Sequence, residues 1–342
     1  MSDSHINDTI LPLEFEKPVL AMEEKIEELL QMSQDTQLDF STEIEHLQKQ
    51  ADEVKHKLYH NLTPSQKLQI ARHPQRLNFS ELVGYLSPET WFELHGDRGG
   101  SDDRAILGGL IELEGKPAVI IGMQKGRNMK ENLLHNFGMA NPEGYRKALR
   151  LFYHAEKFKM PVITVIDTPG AYPGIDGEQH GIGQAIAFNI REMARLKVPI
   201  VSLVSGEGAS GGALGIGVAN RILMLEHALY TVISPEGCAS ILWRSAEYAT
   251  KAADALKITA QDLQAFGMID EIIEEPLGGA HRDPQLAAER IQASLVRHLN
   301  ELSTMTAETL ISDRFDKFRK IGAFEEDVVS KKALKDKALS KK

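Results

Sequence analysis

The chain has 342 residues, 42% hydrophobic and 26% charged, with a net charge of −10. That length suits one large domain plus an accessory segment, no apolar run approaches the roughly 20 residues of a membrane span, and MSDSHINDTI lacks the basic-then-apolar order of a secretory signal. The acidic balance excludes nonspecific nucleic-acid binding over the whole surface, and the lone Cys238 excludes an intramolecular disulfide or a thiolate zinc site, as suits a reducing cytoplasm.

Met22, Ile26, Leu29 and Leu30 recur at helical spacing, and Ile44, Leu47, Ala51, Val54 and Leu58 alternate by threes and fours. SQDTQ is therefore expected to join two antiparallel helices, the second headed by Thr42 and Glu45 at capping-box spacing. His56 and His60 stand one turn apart but read as a solvated helix face. Residues 1–75 are thus expected to form a helical arm, 76–322 the main domain, and 323–342 a basic, flexible tail.

From His95, HGDRGGSDDRAILGGLIELEGKPAVIIGMQKG reads as a glycine-rich loop followed by strands at 106–113 and 118–123. Asn141-Pro142-Glu143-Gly144 starts a helix with Ala148, Leu149, Phe152 and Ala155 on one face, and Met160-Pro161 ends it. An apolar strand at 162–166 leads into DTPGAYPG. A helix at 182–196, a strand at 200–204, the stretch SGEGASGGALGIG, a short helix, and strands at 222–225 and 229–233 follow. Ser234-Pro235 opens another helix, Thr259 and Asp262 head a third, and 283–302 is long and amphipathic. Two successive strands after each helix point to an α/β core of stacked β-β-α units rather than a doubly wound dinucleotide fold.

The stretch at 205–217 satisfies two incompatible motifs. Gly206, Gly208 and Gly211 match the dinucleotide fingerprint, with Glu226 as its acidic partner, but the following helix has only about two turns, short for a Rossmann crossover. Gly208, Ser210 and Gly212 match the nucleophile elbow of a serine hydrolase, with His227, His281, His298, Asp262, Asp270 and Asp283 as candidate partners. A third reading needs no reactive side chain. Residues 168–174 form a second glycine-rich segment one strand away, and two such loops at one sheet edge would offer converging backbone N–H groups, an oxyanion hole.

FELHGDRGGSDDRAILGGL, QKGR at 124–127, NFGMANPEGYRKALRL, PVITVIDTPGAYPGIDGEQHGIGQAIA, VSGEGASGGALGIGVANRILMLEHALYTVISPEGCASILW and KFRKIG carry a resemblance over 13–322. The chain resembles the alpha-subunit family of the carboxyltransferase of multisubunit bacterial acetyl-CoA carboxylase. Met123 stands where that pattern has a histidine. The resemblance implies a crotonase/ClpP-like fold and an α2β2 heterotetramer whose beta subunit carries a zinc ribbon and binds much of the acyl-CoA. It implies carboxyl transfer from carboxybiotin to acetyl-CoA, giving malonyl-CoA in the first committed step of fatty-acid biosynthesis. The biotin would arrive on a biotin carboxyl carrier protein and be charged by a biotin carboxylase, since this chain has neither a Met-Lys-Met site nor a P-loop.

On that basis the N–H groups of the loops carrying Gly170, Ala171, Gly174, Gly211 and Gly212 are the candidate donors to the biotin ureido oxygen. The enolate of the acceptor would be met by the beta subunit. Lys125, Arg127 and Lys130 are candidates to hold CoA phosphates or to form a solvated basic face. No metal is expected in this chain. A serine hydrolase built on Ser210 and a noncatalytic assembly scaffold remain as alternatives.

Overall fold

In the computed structural model, residues 11–36 and 39–322 are described. The basic tail and part of the SQDTQ joint lie outside the described residues. Helices α1 (Lys17–Thr36) and α2 (Ser41–His60) are the two expected helices and run antiparallel, with Lys55 Nζ 2.6 Å from Glu23. The expected Thr42–Glu45 box does not form. Phe40 is the N-cap and Asp39 accepts the Ser41 N–H at 3.0 Å, which puts Thr42 inside the first turn. His56 and His60 are exposed, as a solvated face requires.

True capping boxes head the next two helices: Thr63 with Gln66 for α3 (Pro64–Ala71), and Asn78 with Glu81 for α4 (Phe79–Leu86). Leu68 and Ala71 of α3 already pack on the main domain, against Leu229 and Ile258. After β1 (Phe92–Glu93), strands β2 (Ile106–Leu113) and β3 (Lys116–Met123) form a hairpin. Its two-residue turn, Glu114-Gly115, has φ +48° and +76°, the positive values a type I′ turn requires. Because the turn is that tight, β3 starts at Lys116, before the expected 118.

Next come α5 (Met129–Leu134), α6 (Pro142–Phe158), β4 (Val162–Thr168), α7 (Ile175–Gln179), α8 (Ile182–Met193) and β5 (Ile200–Ala209). α6 begins on Asn141-Pro142 as expected, and its core face is Tyr145, Ala148, Leu151, Phe152 and Ala155, with Leu149 half-buried. α8 stops short of 196, and the buried Arg314 takes the carbonyls of Met193 and Leu196 at its end. The chain continues through α9 (Ser210–Leu214), β6 (Arg221–Leu225), β7 (Leu229–Thr231), α10 (Pro235–Trp243), α11 (Ala249–Leu256), α12 (Ala260–Ala265), β8 (Glu271–Ile273), α13 (Pro284–Leu302) and α14 (Ala307–Lys320). Ser234, Thr259 and Asp283 cap α10, α12 and α13 as their sequences suggest.

The strands form one sheet in the order β1-β2-β3-β4-β5-β6-β8, parallel from β3 onward, with β7 added beside the distal half of β5. β4 and β5 are buried at every residue. Here the strand count departs from the expectation: single strands follow α6 and α8. The expected break after Val204 is a bulge within β5. Register runs Ile166↔Val204 and then Thr168↔Gly208, so three residues of β5 face Asp167 alone. Beyond the bulge β5 leaves β6 and pairs with β7, so this one strand does the work of two.

Candidate active site

Because β4 and β5 are parallel neighbours, the segments that follow them leave the sheet at the same edge, the carboxyl end where α/β sheets bind ligands. The two segments also touch. A Cβ added to Gly212 would lie 2.5 Å from both the Ala171 nitrogen and the Gly170 carbonyl carbon, so only glycine lets α9 rest on that peptide. Gly170 has φ +148°, and Thr168 brackets it: Oγ1 accepts the Gly170 N–H at 3.1 Å and donates to its carbonyl at 2.7 Å.

Gly211 differs, since a Cβ there would meet only Ile186 Cδ1, at an ordinary 3.7 Å, and the residue is half-buried. α9 has no side-chain cap, so its leading N–H groups lack a partner within the turn. Gly174 makes room for the Tyr172 ring, 2.4 Å from an added Cβ. Of the five expected residues, Gly170, Ala171, Gly211 and Gly212 are brought together, while Gly174 seats an aromatic ring further along its loop. Bare peptide N–H groups with room at Gly211 suit a ligand oxygen that carries negative charge.

Behind the glycines lies a string of charges. Asp167 occupies the β5 bulge, accepting the Glu207 N–H at 2.9 Å and the Lys125 ammonium at 2.6 Å, and its carboxylate fills the space where Gly206 has no side chain. Glu207 in turn receives Arg72, at 2.6 Å, and Arg72 reaches Glu236 of α10 at 2.7 Å. Burial alone would lower the Arg72 pKa, yet its bonds to Glu207 and Glu236 hold it above the ordinary arginine range. Lys125, Asp167, Glu207, Arg72, Phe137 and Pro169 line a cleft of ≈ 260 Å³ beside the first glycine segment. A second cavity, of ≈ 210 Å³, opens at the opposite sheet edge by Pro161 and Pro199, away from the glycines.

The sequence reading missed this string. Its one visible signal was an aspartate placed directly before Thr-Pro-Gly. Of the proposed phosphate ligands, Lys125 is committed to Asp167, Arg127 donates through Nε to Glu81 at 2.6 Å, and Lys130 is exposed on α5.

The rival motifs fare differently. Gly206 and Gly208 lie within β5 and α9 has five residues, so neither the phosphate loop nor the long helix of a dinucleotide site exists here. Ser210 does have elbow-like geometry, exposed with φ +57°. Among the described residues no hydrogen bond joins it to a histidine. His227 gives its main-chain N–H to Glu275, His281 stacks on His73 at 4.0 Å, and His298 bonds Glu271 at 2.6 Å. The three aspartates are also engaged: Asp262 with Thr259, Asp270 with Lys317, Asp283 with the Leu286 N–H. Among the described residues no cluster of histidine, cysteine and carboxylates is suited to hold a metal ion.

A family model described as acetyl co-enzyme A carboxylase carboxyltransferase-like matches residues 12–322. The acetyl-coenzyme A carboxylase carboxyl transferase subunit alpha of Synechococcus elongatus is 53% identical over 312 residues, 91% of this chain and 95% of the relative. That of Synechocystis sp. is 51% identical over 317 residues, 93% and 97% of the two chains. Among solved structures, a chain of a Pseudomonas malonate decarboxylase hetero-tetramer superposes with a TM-score of 0.55 at 15% identity, covering 76% of this chain and 95% of that one. Transcarboxylase 12S gives 0.54 at 16% identity, over 66% of this chain and 41% of that one. These likenesses show the fold, a crotonase-like α/β core. The relatives lend no support to a serine hydrolase. With α1, α2 and both glycine segments inside the matched span, the chain belongs to the family of acetyl-CoA carboxylase carboxyltransferase alpha subunits.

Proposed function

We propose that this chain forms the part of the carboxyltransferase site that receives the carboxyl donor, with the N–H groups of Ala171, Gly211 and Gly212 directed at an oxygen that gains negative charge, while Thr168, which takes the Gly170 N–H, holds that loop in place. Carboxybiotin, borne by a biotin carboxyl carrier protein and made by a biotin carboxylase, supplies the carboxyl group that acetyl-CoA accepts to become malonyl-CoA. What carries the reading is the contact of Gly212 with the Gly170–Ala171 peptide, which sets two N–H-bearing segments side by side. Donors fixed by packing need no reorganisation as charge develops, and each contributes a factor of ~10² to 10³ in turnover. No general base is required of the chain, because the proton of the acceptor can pass to the donor's own nitrogen.

Lys125, Asp167 and Glu207 hold the β5 bulge behind these groups, and Lys130 is the cation left to meet a CoA phosphate. Ile175, 77% exposed, together with Phe188 and Leu214 leaves an apolar rim around the glycines. A beta subunit covering that rim in an α2β2 assembly would exclude water and bring the zinc ribbon and the second oxyanion hole. No helix among the described residues is long and apolar enough to cross a membrane, and the lone cysteine fits a cytoplasmic complex.

The test is Gly211→Val, because the substituted side chain has room within the fold yet crowds the exposed N–H groups. In the enzyme assembled with its partner subunit, malonyl-CoA formation should fall ~10² to 10³-fold. Gly84→Val, likewise with space for a side chain, is the control and should keep its rate. A folded Gly211→Val enzyme with near-normal turnover would remove the backbone oxyanion reading.

A further inference from the structure

α9 is only five residues long, so its own hydrogen bonds cannot fix the orientation of its peptides. Two side chains from other helices do so. Tyr145, on α6, is completely buried, and its hydroxyl donates to the Gly212 carbonyl at 3.1 Å. Its ring lies where a side chain at Gly215 would be, 2.4 Å from an added Cβ. Asn189, on α8 and equally buried, uses one amide nitrogen for two carbonyls, that of Tyr145 at 3.0 Å and that of Gly215 at 2.9 Å. Gly215 N–H closes the turn by donating to the Gly211 carbonyl at 3.0 Å.

The pieces form a closed frame. The Gly211–Gly212 peptide is held on its carbonyl side by the Gly215 N–H, and Gly215 is held by Asn189. The next peptide is held by the Tyr145 hydroxyl through the Gly212 carbonyl. On its other side α9 rests against Gly170–Ala171. Burial pushes the Tyr145 phenol far up, so it keeps its proton and remains a donor at any working pH.

We infer that Tyr145, supported by Asn189, is a positioning residue that fixes the turn on both sides of Gly212, so that the Gly212 N–H is aimed and turnover depends on a hydroxyl that touches no reactant. This rests on the backbone oxyanion reading above. It adds that the donors are pre-organised from behind, by a buried phenol and a buried amide, rather than by α9 itself. The sequence pattern agrees: Tyr145 lies in the helix before β4, Asn189 in the helix before β5, and both point to one turn after β5.

The experiment uses Tyr145→Phe in the assembled enzyme, which keeps the ring against Gly215 and removes only the hydroxyl. Well below the melting temperature, kcat should fall about tenfold while KM for acetyl-CoA stays within twofold, as expected when a transition-state contact alone is weakened. Combined with Gly211→Val, the two losses should not multiply, because both act on the same donors. Unchanged kcat with a lower melting temperature, or losses that multiply in full, would reduce Tyr145 to a packing residue and overturn the inference. Should Tyr145→Phe fail to assemble, Asn189→Leu removes the two amide bonds at the other end of the frame and should give the same split of kcat from KM. If Gly211→Val proves active, the oxyanion reading itself has failed; if it is inactive while Tyr145→Phe is normal, only the positioning role has.

Discussion

Ser210 separates two chemistries that share one backbone shape. Its φ of +57° and its exposure match the turn that presents a nucleophile, but among the described residues no hydrogen bond joins it to a histidine, and His281 and His298 are engaged by His73 and Glu271. Ser210→Ala is expected to keep malonyl-CoA formation within about threefold, since the hydroxyl neither attacks nor shuttles a proton. A triad serine behaves otherwise, and a loss of ~10³-fold or more in the folded enzyme would return the hydrolase mechanism. At this scale the sequence revealed which residues lacked side chains, but not what each empty place faces. Gly212 faces the backbone of the neighbouring loop, Gly215 a tyrosine, Gly174 another tyrosine, and Gly211 only Ile186 at an ordinary contact distance. Those are tertiary facts. They also decide which substitution is informative: Val at Gly212 would displace Gly170–Ala171 and confuse packing with chemistry, whereas Val at Gly211 would not.

The segment between α3 and α4 shows how an element can be placed by buried charge. Arg76 forms a two-point pair with Glu275, at 2.7 and 2.9 Å, and donates to the Ser205 carbonyl at 2.7 Å, so it ties the loop before α13 to the point where β5 bulges. Burial alone would raise the Glu275 pKa, but Arg76, His227 and the His227 main-chain N–H hold it at about 2. His281, stacked on His73, is lowered to about 3, first by burial and then by His73, Arg76 and Arg282, with Glu275 opposing. Its ring nitrogens have no hydrogen-bond partner. The unfolded chain takes up this proton near pH 6.5, the folded one only near 3, so the unfolded state binds more protons between those values. Stability is fully present above pH 6.5 and is lost as the pH falls toward 3. Glu275 adds a loss in the same direction, below about pH 4.5.

The melting temperature should therefore decline from pH 7 to 5. His281→Phe, which preserves the ring stack, should flatten part of that decline, the rest belonging to His73 and His227, which burial also lowers. An unaltered pH slope in the variant would contradict this account of the cluster. Helices with N-cap signals, such as α10, α12 and α13, were readable because their capping is local in sequence. β5 was read only over 200–204, because a bulge opposite Asp167 leaves no trace in alternation and the glycines beyond it resemble a loop. The Thr42–Glu45 pairing failed for the opposite reason: the spacing was present, but Asp39 had already taken the first N–H.

On the scale of the whole molecule, parallel strands β4 and β5 bring two glycine segments to one edge, and α6 and α8 supply the buried groups that fix them. The order of strands and helices announced an α/β core, and the long motifs announced the family. What one chain could not reveal is the other wall of the site. The exposed Ile175, Phe188 and Leu214 beside the glycines are the kind of surface a partner subunit buries, and the proposed donors would serve only one of the two charged species that carboxyl transfer generates. The most direct measurement is malonyl-CoA formation from carboxybiotin and acetyl-CoA by this chain alone, by the beta subunit alone, and by their mixture at equal concentration. Activity confined to the mixture is the expected result. Carboxylation by the isolated chain at a rate comparable to the mixture would show that one chain holds a complete site, and the shared-site account would be wrong.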